Sequence, residues 1–142
     1  MRLSTKGRYS VRAMLDLALH SGQGPIMAKD ISGRQRISTR YLEQLFIPLR
    51  AAGLVRGIPG ARGGFVLARP PAEVRLSEII QATEGSLAPV DCVDEPRACP
   101  QSDVCAARDV WLEMKQASDK VLESMTLQDL ADRQREKSPK RA

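Results

Sequence analysis

Residues 37–69, ISTRYLEQLFIPLRAAGLVRGIPGARGGFVLAR, decide the fold of this 142-residue chain. The segment begins with Ser38, a good helix N-cap, and its apolar residues then recur three and four positions apart. These apolar residues are Leu42, Leu45, Phe46, Leu49 and Ala52. Gly53 suits the position just beyond a helix C-terminus. The pattern therefore predicts an amphipathic helix that runs from Ser38 to Ala52.

A glycine-rich hairpin follows this helix. We predict two strands, Leu54–Ile58 and Phe65–Ala68, around the turn Pro59-Gly60-Ala61-Arg62-Gly63-Gly64. A nucleotide-binding phosphate loop is a poor alternative, because the order is strand–turn–strand and no Lys-Ser/Thr follows the last glycine. The hairpin is typical of the wing of a winged-helix module, with Arg62 at its tip facing a minor groove or a phosphate.

Two helices precede this segment, at about Thr5–Leu19 and Ala28–Gln35. A short helix, a tight turn and a longer amphipathic helix form the helix-turn-helix pattern, whose second helix enters the major groove of DNA by its N-terminal residues. Arg40 and Gln44 carry the donor forks suited to guanine and adenine, and Glu43 has acceptors for a cytosine amino group. A plain helical hairpin is the alternative for the helix pair alone, and the following wing favours the DNA-binding reading.

The distribution of charge agrees with a polyanionic partner. Residues 1–75 contain thirteen Lys/Arg and four Asp/Glu, a net charge of +9, whereas residues 76–142 have a net charge of −4. The alternative is a basic face that is only solvated and binds no polyanion, and the net charge alone does not distinguish the two. The sequence contains no apolar run of about 18 residues, so we expect a cytoplasmic protein without a membrane span.

The rest of the chain divides into three parts. The sequence LSEIIQATEG predicts a helix that ends at Gly85, and residues 86–105 form a polar loop. A helix then starts at about Val104, and Thr126 caps a short last helix before a charged tail. The long helix repeats small and apolar residues at four–three spacing, which favours self-association over packing on its own domain. These residues are Ala107, Trp111, Met114, Ser118, Val121 and Met125, with Val110, Ala117 and Leu122 beside them.

The three cysteines of the chain, Cys92, Cys99 and Cys105, all lie in the polar loop, with six and five residues between them. Structural zinc is disfavoured, because it takes four ligands that usually come in close pairs. A structural disulfide is disfavoured in a reducing compartment, although a redox-switch disulfide stays open. Inert buried thiols do not explain cysteines among charged residues. An iron–sulfur cluster leads, because it takes thiolate ligands and tolerates an oxygen or nitrogen ligand.

The chain resembles the Rrf-two family of winged-helix regulators, which includes the iron–sulfur cluster regulator and the nitric-oxide-sensing repressor. The resemblance is carried by MRLSTKGRYSVRAMLDLA, ISTRYLEQLFIPLRAAGLV, GARGGFVLAR and LSEIIQATEG, and it covers residues 1 to about 130. It implies a mainly α fold with a small β wing, in which a winged helix-turn-helix domain is joined to a long C-terminal dimerisation helix. We accordingly assign residues 1–85 to DNA binding, residues 86–105 to a cluster-binding loop, and residues 106–142 to the dimerisation helix, a short terminal helix and a charged tail.

The resemblance also implies roles for individual residues. The chain would bind a palindromic double-stranded DNA operator as a homodimer. The DNA contacts would be Ser38, Thr39, Arg40, Tyr41, Glu43, Gln44 and Arg62. A two-iron two-sulfur or four-iron four-sulfur cluster would bind Cys92, Cys99 and Cys105 and one further ligand. That ligand is not identified, because Arg108 stands where the cluster regulator has a histidine and Arg8 where the nitric-oxide sensor has an aspartate.

We therefore expect a transcriptional regulator, a repressor, whose operator affinity follows the state of a cluster that senses redox state, nitric oxide or iron supply. The alternative is a cluster-free winged-helix regulator controlled by thiol oxidation or by a partner protein. A non-specific nucleic-acid binder is a weaker alternative. We do not expect an enzyme, because the single histidine, His20, leaves no nucleophile–base pair.

Overall fold

A computed structural model of the chain describes residues 2–138, and it shows a mainly helical fold with a two-stranded antiparallel wing, as predicted. The helices are α1 (Thr5–Leu19), α2 (Ala28–Gln35), α3 (Thr39–Ala51), α4 (Leu76–Thr83), α5 (Asp91–Asp94), α6 (Ala106–Ser124) and α7 (Leu127–Lys137). The strands are β1 (Val55–Ile58) and β2 (Gly64–Leu67). Short 3-10 turns lie at Pro71–Glu73, Pro96–Ala98 and Ser102–Val104. Within residues 2–138, no helix is both long and apolar enough to cross a membrane.

The helix α3 is built as its sequence predicts. The hydroxyl of Ser38 accepts a hydrogen bond from the amide of Tyr41 at 3.1 Å, which satisfies one of the free donors of the first turn. Leu42, Leu45, Phe46 and Leu49 are buried on the inner face. Gly53 ends the helix with a φ of 74°, a conformation that favours glycine. The inner face of α3 thus anchors the core and leaves its outer face open to solvent.

The wing packs against α3 and against the loop between α1 and α2. The strands β1 and β2 pair from Val55↔Leu67 to Ile58↔Gly64. Three of their four ends lie one residue from the predicted ends, and Ile58 ends β1 as predicted. Phe65 stacks on Phe46 with ring centroids 4.1 Å apart. Phe65 also exchanges two backbone hydrogen bonds with Ile26, at 2.8 and 2.9 Å. This bridge to Ile26 has no signal in the sequence, and it fixes the wing relative to α1.

The helix α7 packs back onto the N-terminal module. Leu127 and Ala131 are buried, and the amide of Leu127 donates to the carbonyl of Val74 at 2.7 Å. Thr126 caps α7, as predicted, and Asp129 completes a capping box with it. At eleven residues α7 is longer than the short helix expected. The last residues of the predicted charged tail, 139–142, lie outside the described part of the chain.

The long helix α6 has none of its residues buried. Its side chains form two different apolar faces. Trp111, Ser118 and Leu122 are half-buried on the side that meets α4 and α5. The second face is exposed and is named here the α6 stripe. It consists of Ala107, Val110, Met114, Ala117 and Val121.

The α6 stripe keeps the four–three spacing but differs from the seam predicted above. The predicted seam contained Trp111 and Ser118, whereas the exposed stripe contains Val110 and Ala117 in their place. Both sets satisfy the same heptad period, since each pair of alternatives is adjacent in sequence. The packing of α4 against α6 covers one set and leaves the other exposed.

Candidate nucleic-acid interface and cysteine loop

The outer face of α3 presents three polar side chains one helical turn apart. Arg40, Glu43 and Gln44 are exposed, and their spacing of three and four residues places them on the same side of the helix. Thr39 is half-buried at the start of the helix, where Ser38 forms the N-cap. This face therefore combines a guanidinium, a carboxylate and a carboxamide in one patch, which is the set of groups that can read base edges.

Tyr41 is half-buried because it packs against α1. Its ring lies edge-on to the ring of Tyr9, with centroids 6.0 Å apart and planes at 88°. The guanidinium groups of Arg8 and Arg12 lie 5.8 and 5.2 Å from the centroid of Tyr9. The Tyr9–Tyr41 contact thus brings two cations of α1 beside the start of α3. Sequence reasoning missed Arg8, Tyr9 and Arg12, because nothing in the local pattern reveals which residues of α1 face α3.

Arg62 is exposed at the turn of the wing, as predicted. Gly63, the next residue, has no room for a side chain, since a Cβ there would lie 1.9 Å from the carbonyl oxygen of Ile58. Among residues 2–138, Arg36, Arg40 and Arg62 form no salt bridge with a carboxylate. These three cations are therefore not paired with a carboxylate and can interact with a polyanion.

A buried carboxylate holds α2 against α1. Asp16 of α1 is 1% exposed and accepts two hydrogen bonds from Arg34, from Nε at 3.0 Å and from Nη2 at 2.8 Å. It accepts a third from the side chain of Gln35 at 3.0 Å. The pKa of Arg34 is raised, first by this hydrogen bond to Asp16 and further by the charge of the carboxylate. The last turn of α2 is thereby fixed just before the turn that leads into α3.

The three cysteines lie on different pieces of the loop. Cys92 is in the single-turn helix α5, Cys99 follows a 3-10 turn, and Cys105 is the residue before α6. All three thiols are free and half-buried. The hydroxyl of Ser102 lies 2.7 Å from the carbonyl oxygen of Pro96 and 3.0 Å from that of Cys99, which holds the middle of the loop. The side chain of Arg108 donates to the carbonyl of Cys92 at 3.0 Å, which ties α5 to the first turn of α6.

The three cysteines have the ligand type that an iron–sulfur cluster requires, but not the arrangement. Three thiols are the ligand type that such a cluster takes. Among residues 2–138, however, no three histidine, cysteine or carboxylate side chains lie together so that they could hold a metal ion. Arg108 offers no ligand atom, since a guanidinium is always a donor. The arrangement in this structure therefore does not fit a preformed cluster site, and the assignment of Cys92, Cys99 and Cys105 as ligands stays a prediction.

Known proteins resemble this chain over nearly its whole length. The model of the Rrf2 family (the Rrf-two family above), described as an iron-dependent transcriptional regulator, matches residues 3–133. The HTH-type transcriptional regulator CymR of Bacillus subtilis is 41% identical over 131 residues, which are 92% of this chain and 90% of CymR. The solved structure of B. subtilis CymR, described as the global cysteine regulator, superimposes with a TM-score of 0.79 at 40% identity and covers 93% of this chain and 97% of its own.

Two further solved structures bear on the loop. The structure of T. potens IscR gives a TM-score of 0.80 at 40% identity, and the match covers 97% of this chain and 91% of IscR. The oxidized form of Staphylococcus aureus CymR gives a TM-score of 0.76 at 39% identity, with 92% of this chain and 96% of the CymR chain covered. The chain thus resembles both CymR and IscR, with similar identities and TM-scores for the two.

Proposed function

The chain belongs to the Rrf2 family of transcriptional regulators, and from that premise we propose that it represses transcription by binding a palindromic operator as a homodimer. The observation that carries this proposal is the outer face of α3, where Arg40, Glu43 and Gln44 lie side by side and exposed. Its relatives are transcriptional regulators, in agreement with the expectation that the chain is not an enzyme.

We propose that α3 enters the major groove and that each of its exposed polar side chains recognises a different base. Arg40 would donate a bidentate pair to guanine, Gln44 would bind adenine in the same way, and Glu43 would accept from a cytosine amino group. Ser38, Thr39 and Tyr41 at the start of the helix would place hydroxyl groups near phosphates, and Arg62 would extend the contact from the wing. The cations of α1, Arg8 and Arg12, would add affinity without sequence preference.

The α6 stripe supports the proposed homodimer. Val110 and Val121 are 49% and 56% exposed, and Met114 lies between them on the same side of the helix. Small and apolar residues at alternating spacings of three and four are the pattern of a two-helix seam. A second copy of α6 would cover this stripe and place two α3 helices on one face of the dimer. Two such helices reach successive major grooves when their separation matches the helical repeat, about 34–36 Å or a multiple.

We propose that residues 86–105 form the sensory segment. The segment begins beside α1, because the carboxylate of Glu84 accepts hydrogen bonds from the amide of Ser4, at 3.0 Å, and from its hydroxyl. It ends at α6, to which Arg108 ties Cys92. A change in the loop would therefore act on the start of α1, beside the Tyr9–Tyr41 contact, and on the dimer helix. A coupling of about 1–3 kcal/mol would change operator affinity roughly 5–150-fold.

Two chemistries are open to this segment, and each has its own support. An iron–sulfur cluster is supported by three thiols within one loop and by the iron-dependent description of the family. Such a cluster would supply a centre that reacts with oxidants or nitric oxide and depends on iron supply. Control by thiol oxidation is supported by three free thiols in one loop and by a relative that was solved in an oxidized form.

Two measurements test the proposal. The first is selection from a random duplex library by the purified chain. Enrichment of a palindromic sequence is expected, and a pool that stays random would refute operator binding. The second is iron and acid-labile sulfide, with a visible spectrum, on protein purified without oxygen. Equal iron and sulfide that are lost in Cys99→Ala would establish the cluster. Iron-free protein that gains a disulfide with a mild oxidant would establish the thiol switch.

A further inference from the structure

One apolar side chain stands out on the polar outer face of α3. Ile47 is 66% exposed, which is the highest exposure among the large apolar residues of the DNA-binding module. It follows Glu43 and Gln44 by four and three residues, so it lies one turn further along on the same side of the helix. The residues that anchor α3 in the core point the opposite way. The local sequence pattern does not single out Ile47, because its position breaks neither the helical stripe nor the turn signals.

Folding does not account for an isoleucine at this position. A side chain that stays mostly in water contributes little burial to stability. Isoleucine is also a weaker helix former than alanine, lysine or glutamate at an exposed helical position. Single exposed apolar residues are ordinary on protein surfaces, so exposure alone argues nothing. What distinguishes Ile47 is the face that carries it, which is the face proposed to meet the base edges.

The surroundings of Ile47 would keep this end of α3 close to DNA. Ile47, Arg50 and Arg56 line one concavity between the end of α3 and the strand β1. The guanidinium of Arg50 lies over Gly57, 3.4 Å from the position that a Cβ would take there. Both arginines are exposed and, among residues 2–138, form no salt bridge. In the major groove, base edges lie between the phosphates of the two strands. The two arginines would contact phosphates while the neighbouring apolar side chain contacts a base edge.

We propose that Ile47 is a specificity-determining residue that contacts the C5-methyl group of a thymine in the operator. The inference rests on the proposed operator binding. The thymine methyl is the apolar group that the major groove displays, and an aliphatic side chain is its natural partner. Ile47 lies seven residues beyond Arg40, about 10 Å along the helix axis, which corresponds to about three base steps. The methyl would thus belong to a base pair near the edge of each half-site.

The test uses the operator selected by the full-length chain and deletes single methyl groups. Each thymine of the half-site is replaced in turn by deoxyuridine, symmetrically in both half-sites, and the dissociation constant is measured. For the unmodified chain, one position should lose about fourfold in affinity per methyl, about fifteenfold for both, as expected for one buried carbon. In Ile47→Ala the loss at that position should vanish, whereas Ile47→Val should keep most of it. Met27→Ala, which removes an exposed apolar side chain from outside the α3 face, should leave the uracil profile unchanged.

The outcomes separate the inference from the proposal beneath it. A chain that selects a palindrome but shows the same uracil profile with isoleucine and alanine at position 47 would overturn the role of Ile47 and leave operator binding intact. A chain that selects no sequence would overturn operator binding, and the inference with it. Because Ile47 is exposed, the melting temperature of Ile47→Ala should lie within about 2 °C of that of the unmodified chain, so a folding defect would not imitate the expected result.

Discussion

Replacing Asp16 with asparagine should destabilise the protein more than any other single charge removal on α1 or α2. The substitution keeps the volume of the side chain and removes its charge. One oxygen remains to accept a hydrogen bond, while the new amide group points donors at the donors of Arg34 or Gln35. The carboxylate is almost fully buried, so water cannot take over the lost bonds at that end.

The magnitude follows from the contacts of Asp16. Removing one partner of a buried ion pair lowers the free energy of unfolding by about 3–5 kcal/mol. Arg34 is 39% exposed at its side chain, so its guanidinium regains part of its hydration and the cost falls toward the lower end. We therefore expect about 3 kcal/mol, which for a chain of this size lowers the melting temperature by roughly 10 °C.

Thermal unfolding at one fixed protomer concentration measures the effect, because the stability of the proposed dimer would depend on concentration. Asp132→Asn is the matched control, since Asp132 forms an exposed pair with Arg135 at 3.5 Å and should cost less than about 1 kcal/mol. A melting temperature for Asp16→Asn within 2–3 °C of the control would refute the reasoning. It would mean that α2 is held by apolar packing, without a measurable share from the carboxylate.

Three further substitutions test other parts of the molecule. Arg62→Ala should weaken binding to all DNA sequences alike and reduce the slope of log affinity against log salt by about 1, so an unchanged slope in a mobility-shift titration would contradict the role of the wing. Gly63→Ala should cost about 1–3 kcal/mol in thermal unfolding, because the new Cβ meets a backbone oxygen, whereas Gly33→Ala has open space and should not destabilise the chain. Met114→Glu should place an unpaired charge in the α6 stripe and raise the dimer dissociation constant, measured by ultracentrifugation, more than about 100-fold. Gln116→Glu, on another side of α6, should leave this constant unchanged. A dimer that survives Met114→Glu would rule out the stripe as the interface.

Some features could be predicted from the sequence because they depend on residues close together in the chain. The period of Leu42, Leu45, Phe46 and Leu49 sets a helix and its buried face. Gly53 and the glycines of the wing mark conformations that other residues adopt at a cost. The bounds of α1 and α2 follow from the same local signals, and the structure has both helices where they were predicted. These features sufficed to predict a winged helix with an exposed polar face on α3.

Other features depend on how separate elements dock, and the sequence leaves them open. The period of α6 allows two neighbouring faces, and only the packing of α4 decides that Val110 and Ala117 are exposed while Trp111 and Ser118 are half-buried. The spacing of the cysteines permits a shared centre, yet among residues 2–138 no three cysteine, histidine or carboxylate side chains lie close enough together to hold a metal ion.

The same holds for the contacts that position the proposed DNA-binding face. Asp16 and Arg34 meet across two helices, and Tyr9 meets Tyr41 over 32 positions of the chain. Local patterning determines which elements form, because backbone conformation and amphipathic period are short-range properties. Side chains far apart in the chain meet only at the distances and angles that the packed core imposes, so the tertiary structure alone decides the pairs.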